Sequence, residues 1–148
     1  MKSKSPSDSF VTKTEIVCPN DTNPMGILQG GRLVEWMDIA AAVCAQTHAE
    51  KVCVTVSIDK VEFKKAAKVG DIIIIKSRIT RAFNSSMEIF VEAHSRKIFE
   101  QRENKISSAF FKFVAINDNE EAIKVFPITP ITAIDKIFYE DALKRKLK

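Results

Sequence analysis

Asp38 is a carboxylate placed where a helix poorly accommodates one. It lies within Arg32–Gln46, a run free of Pro and Gly in which Leu33, Trp36, Met37, Ala40 and Cys44 recur at three- and four-residue steps, the period of one buried helical face. Asp is a weak helix former, and this one interrupts a run that is apolar on both sides. Gly30 and Gly31 stand just ahead of the run. There the first amides of a helix lack carbonyl partners, so a carbonyl oxygen or an anion can approach bare backbone, and the helix start is a candidate oxyanion site. Asp38 follows Gly31 by roughly two turns at about 100° per residue, which sets carboxylate and amides on one side of the helix. Ala42 and Ala45 continue that strip and leave room for a ligand or a second subunit. The plain alternative is a solvated boundary carboxylate behind a simple Gly-Gly turn.

Pro19 to Gly26 is rich in turn formers and leads into the helix as an ordered loop. Within it Pro24 biases Asn23 towards an extended backbone, which gives the Asn23 amide a fixed direction or, more simply, an Asx turn. A carboxylate with an ordinary pKa near 3.9 is ionised at neutral pH. It can deprotonate a water or attack a carbonyl directly, provided that donors meet the negative charge that develops on oxygen.

The elements that must hold these groups follow from periodicity. A short strand is predicted over Phe10 to Cys18, and the long helix starts near Gly31. Val52 to Phe63 reads as one strand whose apolar parity slips between Ile58 and Val61, so a bulge near Asp59 or Lys60 is predicted. Ile72 to Arg81 is a strand buried on both faces at its start, Asn84-Ser85 a hairpin turn, and Met87 to His94 an alternating strand. The last strand is Ile106 to Ile116. Thr132 and Asp135 have the spacing of a capping box that opens a terminal helix. Its basic end, Lys144, Arg145, Lys146 and Lys148, suits the negative helix pole or a phosphate.

At 148 residues the chain fits one domain, expected as residues 10–148 after a flexible tail of residues 1–9. Hydrophobic residues make up 45% and charged residues 28%, with no apolar run long enough to span a membrane, so a cytoplasmic protein without a membrane partner is expected. The N-terminus carries charge but no following apolar segment, unlike a secretory signal. Cys18, Cys44 and Cys53 are far apart and do not combine with His48 or His94 into a ligand set, so free thiols and no metal are expected. A net charge of +4 is compatible with a polyanion or a phosphorylated small molecule. A nucleic-acid role is disfavoured, because no strand face interleaves aromatic with basic residues.

One strand, one long helix, four antiparallel strands and a short terminal helix pack most economically as an α+β fold, a curved antiparallel sheet wrapped around the helix. That outline, with Asn23-Pro24-Met25-Gly26 and Gly30-Gly31-Arg32-Leu33-Val34-Glu35-Trp36-Met37-Asp38, resembles the hotdog-fold acyl-CoA thioesterases, in particular the bacterial broad-specificity and brain acyl-CoA hydrolases. The resemblance runs from about Val17 to Val114 and includes Val54-Thr55-Val56-Ser57, Val69-Gly70-Asp71 and Ser85-Ser86-Met87-Glu88.

The resemblance implies hydrolysis of acyl-CoA to a free fatty (carboxylic) acid and coenzyme A, with no cofactor beyond the coenzyme A of the substrate. Asp38 corresponds to the catalytic carboxylate, Asn23 to the catalytic amide and Gly31 to the oxyanion position, with Gly30 beside it. Ser85 and Ser86 match a loop lying along the coenzyme, and Arg81 is a candidate phosphate contact. Asn23 of one subunit is expected to meet Asp38 of its partner in a homodimer, and three dimers to form a hexamer. Gln29 departs from the Phe or His of many relatives, and Phe83 from their Gly. A non-catalytic acyl-CoA-binding module would share this fold without needing Asp38. A hotdog dehydratase would need a catalytic His, and neither His48 nor His94 is near the Asn23 loop.

Overall fold

The computed structural model describes residues 1–147; Lys148, counted above in the basic end, lies outside the described residues. The elements are β1 (Val11–Ile16), α1 (Gly30–Ala49), β2 (Val52–Phe63), β3 (Ile72–Ala82), β4 (Ser86–Arg96), β5 (Asn104–Ile116) and α2 (Ala133–Lys146). The strands form one antiparallel sheet in the order β1-β3-β4-β5-β2, so β1 and β2 are its edges.

Alternation along the strands builds the core. Ile73, Ile75, Ile79, Ile89, Val91, Phe111 and Phe113 are fully buried with Met37, Ala41, Cys44 and Ala45 of α1. The small Ala and Cys side chains let the helix lie close to the concave sheet face. Ile73, Ile74 and Ile75 are all buried, as expected of a strand covered on both sides. Further along the sheet α2 covers the outer side: Phe138 lies against Phe90 at 4.9 Å between centroids. Arg145 grips Glu88 with two hydrogen bonds of 2.7 and 2.8 Å, and Thr80 donates to the same carboxylate at 2.6 Å. The predicted capping box is formed, with the Asp135 amide donating to Thr132 Oγ1 at 3.0 Å.

The parity slip in β2 has its bulge. Pairing with β5 shifts between Asp59 and Glu62, and Lys60 takes a left-handed φ of 54°. A second shift, between Thr55 and Ser57, was not legible because Val54 and Val56 keep the apolar alternation across it.

The first nine residues do not form the expected free tail. Lys4 pairs with the chain on either side of Ile128, through its amide to the Pro127 carbonyl at 3.1 Å and its carbonyl to the Thr129 amide at 2.8 Å. A 3-10 turn follows at Pro6–Ser9. Lys4 Nζ donates to the His48 carbonyl at 2.8 Å and to Glu50 at 2.6 Å, which caps the C-terminal end of α1 with a positive charge. Polar composition suggested a tail; one lysine at a helix C-terminus ties it down.

His48 is buried at this junction, with Nε2 donating to the Phe126 carbonyl at 2.6 Å and Nδ1 without a partner among the described residues. Burial holds its pKa below the usual imidazole value; the bond to Phe126 opposes that shift, nearby Lys4 adds to it, and Asp8 and Glu50 oppose it. A folded pKa below the unfolded value of about 6.5 means that His48 contributes stability above that pH. The contribution is lost as the pH falls from there through the folded value. The melting temperature of the native chain is therefore expected to fall more steeply between about pH 7 and pH 5 than that of His48→Gln; parallel slopes would remove His48 from the acid response.

Candidate active site

Asp38 projects from the third turn of α1 towards the edge strand β2, where Thr55 Oγ1 donates to its Oδ1 at 2.7 Å. Asp38 is half-buried and Thr55 exposed, so the pair sits at the surface of the single chain. Thr55 escaped the sequence reading because a threonine in a strand is ordinary. Its signal was there in the alternation: Cys53 and Thr55 share the face that turns to the helix, and only the buried Cys53 marks that face as inward.

The helix start is open. Gln29 occupies the N-cap position without a capping hydrogen bond, and the amides of Gly30, Gly31 and Arg32 have no partner among the described residues. The Gln29 side chain instead donates to the Thr22 carbonyl at 3.1 Å, and its amide to the Asp21 carbonyl at 3.0 Å. Arg32 meets Asp21 at 3.3 Å, which closes the loop onto the helix. The two glycines differ. A Cβ on Gly30 would touch the Phe63 ring at 3.4 Å, whereas one on Gly31 would meet nothing within 4 Å. Nothing in this chain's own packing requires Gly31 to lack a side chain.

Asn23 makes the Asx turn. Its Oδ1 accepts from the amides of Met25 at 2.9 Å and Ile27 at 3.2 Å, while its Nδ2 has no partner among the described residues. Gly26 closes the turn onto the Asn23 carbonyl at 2.9 Å with a φ of 74°, a conformation that a side chain would disfavour. The turn thus fixes the direction of the amide group without consuming its donor.

Ser85 and Ser86 lie in the β3–β4 hairpin, whose backbone is clamped by bonds from Ala115 to the Ser85 carbonyl and from Phe83 to the Ser86 carbonyl. Arg81, expected at a phosphate, is engaged elsewhere. Its guanidinium donates to the Tyr139 carbonyl at 3.1 Å and stacks over the Tyr139 ring at 3.9 Å. The docking of α2, which strand periodicity does not report, claims this cation.

Two cavities flank these residues. One of about 340 Å³ lies at the helix start between Ile27, Leu28, Gly30, Leu33, Phe63 and Ile106. The other, about 410 Å³, lies on the outer sheet face beside α2. It is walled by Phe83 and Phe110, and Lys60, Lys112 and Lys146 line it without an ion-pair partner among the described residues. Burial pushes the Cys44 thiol up to about 12 and the Cys53 thiol to about 11, so neither is a ready nucleophile. Among the described residues no three His, Cys, Asp or Glu side chains are grouped to hold a metal.

A curved antiparallel sheet around one long helix, with a carboxylate two turns in and an uncapped helix start, is the hotdog arrangement. The profile of the thioesterase superfamily matches residues 25–98, and the chain belongs to that family. It is 31% identical over 138 residues to an uncharacterised acyl-CoA thioester hydrolase of Bacillus subtilis (strain 168), covering 93% of this chain and 80% of that protein. Acyl-coenzyme A thioesterase 11 of Mus musculus is 32% identical over 136 residues, 92% of this chain but 23% of that protein; the chain spans about a quarter of the length of such mammalian relatives. Among solved structures, an apo-hexameric acyl-CoA thioesterase superposes with a TM-score of 0.95 at 33% identity, over 99% of this chain and 94% of that one.

The acyl-CoA hydrolase of Staphylococcus aureus, solved with butyryl coenzyme A and coenzyme A, superposes at 0.91 with 33% identity, over 97% of this chain and 88% of that one. Its solved variants replace one Asp, one Thr and one Asn by Ala, and those three residues are spaced along that chain as Asp38, Thr55 and Asn23 are here.

Gly31→Ala gives a direct reading of the open helix start. Because the added methyl meets nothing in the chain and Ala is the better helix former, the melting temperature is expected to hold or rise. Turnover of an acyl thioester is expected to fall by about tenfold or more as the methyl crowds the bare amides. Equal turnover in both proteins would assign Gly31 to the fold alone.

Proposed function

We propose that this chain is an acyl-CoA thioesterase that hydrolyses acyl-CoA to a free carboxylic acid and coenzyme A. The observation that carries the reading is the Asp38–Thr55 pair, a carboxylate aimed by a hydroxyl at the open edge of the sheet, in a chain of the thioesterase superfamily. Asp38 acts on the thioester carbonyl, as a base for water or by direct attack, and Thr55 holds one carboxylate oxygen so that the other faces the substrate. The bare amides of Gly31 and its neighbours receive the charge on the carbonyl oxygen. Asn23 offers its Nδ2 to the water or the carbonyl. The thiolate of coenzyme A leaves readily, so no strong general acid is needed.

One chain does not complete this site. Gly31 and Asp38 are about 10.5 Å apart along the axis at 1.5 Å rise per residue, too far to flank one carbonyl carbon. A two-fold partner whose α1 runs antiparallel beside this one places Asp38 of one copy at Gly31 and Asn23 of the other. The exposed Ile39 and Val43 on α1 and Val52, Val54 and Val56 on β2 supply an apolar interface for such pairing. Three dimers would then form a hexamer, the state named for several structural neighbours. The apolar cavity at the helix start takes the acyl chain. Lys60, Lys112 and Lys146 of the outer cavity, with the Ser85-Ser86 hairpin beside it, receive the coenzyme and its phosphates. A cytoplasmic enzyme acting in fatty acid metabolism fits this chemistry.

Thiol release from a series of acyl-CoA esters, acetyl to palmitoyl, tests the proposal. Asp38→Ala is expected to lower kcat by roughly 10²- to 10⁴-fold with the melting temperature retained, the range of a positioned base. Release at the native rate, with the ester still bound, would favour an acyl-CoA-binding module instead. Thr55→Val is expected to lower kcat by a smaller factor and to leave KM nearly unchanged, since it frees the carboxylate to rotate without touching the coenzyme. An unaltered kcat would remove Thr55 from the mechanism.

A further inference from the structure

One end of the molecule combines exposed apolar side chains with an excess of basic residues. Strand register defines that end: Ile16 pairs with Ile72, Ile72 with Arg96, Ser95 with Asn104 and Ser107 with Phe63. The helix start joins it through the Leu28 amide, which donates to the Ala67 carbonyl at 2.8 Å. Ile16, Val69, Ile98 and Phe99 are all exposed here, Ile98 by 74% and Phe99 by 81%. The last two are adjacent in the loop that projects beyond the final β4–β5 pair.

Residues 62–71 and 96–105 carry seven Lys and Arg against four Asp and Glu, a local excess of three positive charges. Lys65, Lys68 and Arg102 make no ion pair among the described residues. The apolar cavity of about 340 Å³ opens here too, lined by Lys64 and Lys65 with Phe63.

We propose that this end is a docking surface for a bilayer containing anionic phospholipid, with Ile98 and Phe99 entering the headgroup boundary and the surrounding basic side chains meeting lipid phosphates. Two neighbouring apolar side chains this exposed in a loop have little of their own chain to pack against, and a deformable interface accepts them without a matching pocket. Charge selects the occupant. A second copy presenting the same surface would set net positive against net positive, whereas anionic lipid is attracted to each basic residue at the surface. No described helix is long and apolar enough to cross a membrane, so the contact is peripheral and departs from the expectation of no membrane partner. The inference draws its use from the proposed hydrolase, because an acyl-CoA is an amphiphile that partitions into bilayers beside the cavity mouth.

The test is co-sedimentation of the full chain with phosphatidylcholine vesicles, with and without about one third phosphatidylglycerol, at low and high salt. The native protein is expected to bind the anionic vesicles at least tenfold more tightly than the neutral ones, and to lose that excess at high salt. Ile98→Ser/Phe99→Ser is expected to cut anionic binding at least tenfold while the mass by light scattering stays native. Absence of native binding, equal binding by the double variant, or a changed oligomer mass in that variant would each overturn the proposal, the last by making the loop a subunit contact. A soluble short-chain acyl-CoA assayed alongside separates the two readings. Vesicle binding without turnover sustains the docking surface and sinks the hydrolase, and turnover without vesicle binding does the reverse.

Discussion

An α-helix advances 1.5 Å per residue, and this spacing governs what one copy of the chain can do. The same helix carries bare amides at Gly30 and Gly31 and a carboxylate at Asp38, on one side but two turns apart. Reacting groups must converge to about 3 Å of a shared atom, so one helix cannot present both to a single carbonyl. The proposed two-fold pairing resolves this with two antiparallel copies of α1. Features that look like defects in the single chain then acquire a reason. The edge strand β2 leaves Val52, Val54 and Val56 uncovered, α1 leaves Ile39 and Val43 uncovered, and an apolar edge of this kind is normally blunted in a chain that stays alone.

Much of the fold was legible because it rests on local period. The number and order of elements, the buried face of α1, the bulge near Lys60 and the Thr132–Asp135 cap all follow from spacings within one element, and the structure shows each of them. The arrangement at the site was legible only as far as its parts lie on one element. Asp38 and Gly31 share a helix face, and that was visible. Thr55 required knowing which face of β2 turns towards α1, and Arg81 required knowing where α2 docks. Both depend on contacts between distant segments, about which side-chain periodicity carries no information. Lys4 is the extreme case: a residue in a polar terminus whose partners, His48 and Glu50 at the end of α1 and the backbone beside Ile128, come from two other parts of the chain.

The two ends of α1 are treated in opposite ways, and the contrast bears on function. At the C-terminal end Glu50 adopts the left-handed conformation, its amide bonds the Gln46 carbonyl at 2.8 Å, and Lys4 brings a cation to the His48 carbonyl. The negative pole is closed with three devices. At the N-terminal end Gln29 turns its side chain away to Thr22, so the amides are left bare. Ser, Asp or Asn at that position would stabilise the helix by about 1 kcal/mol, and a glycine at the first turn forgoes a few tenths more. A Cβ at Gly30 would come only into ordinary contact with the Phe63 ring, and one at Gly31 would meet nothing within the chain. A stable helix with a sealed negative pole has no structural need of an open positive one, so the cost borne at Gln29, Gly30 and Gly31 fits the oxyanion role proposed for the helix start.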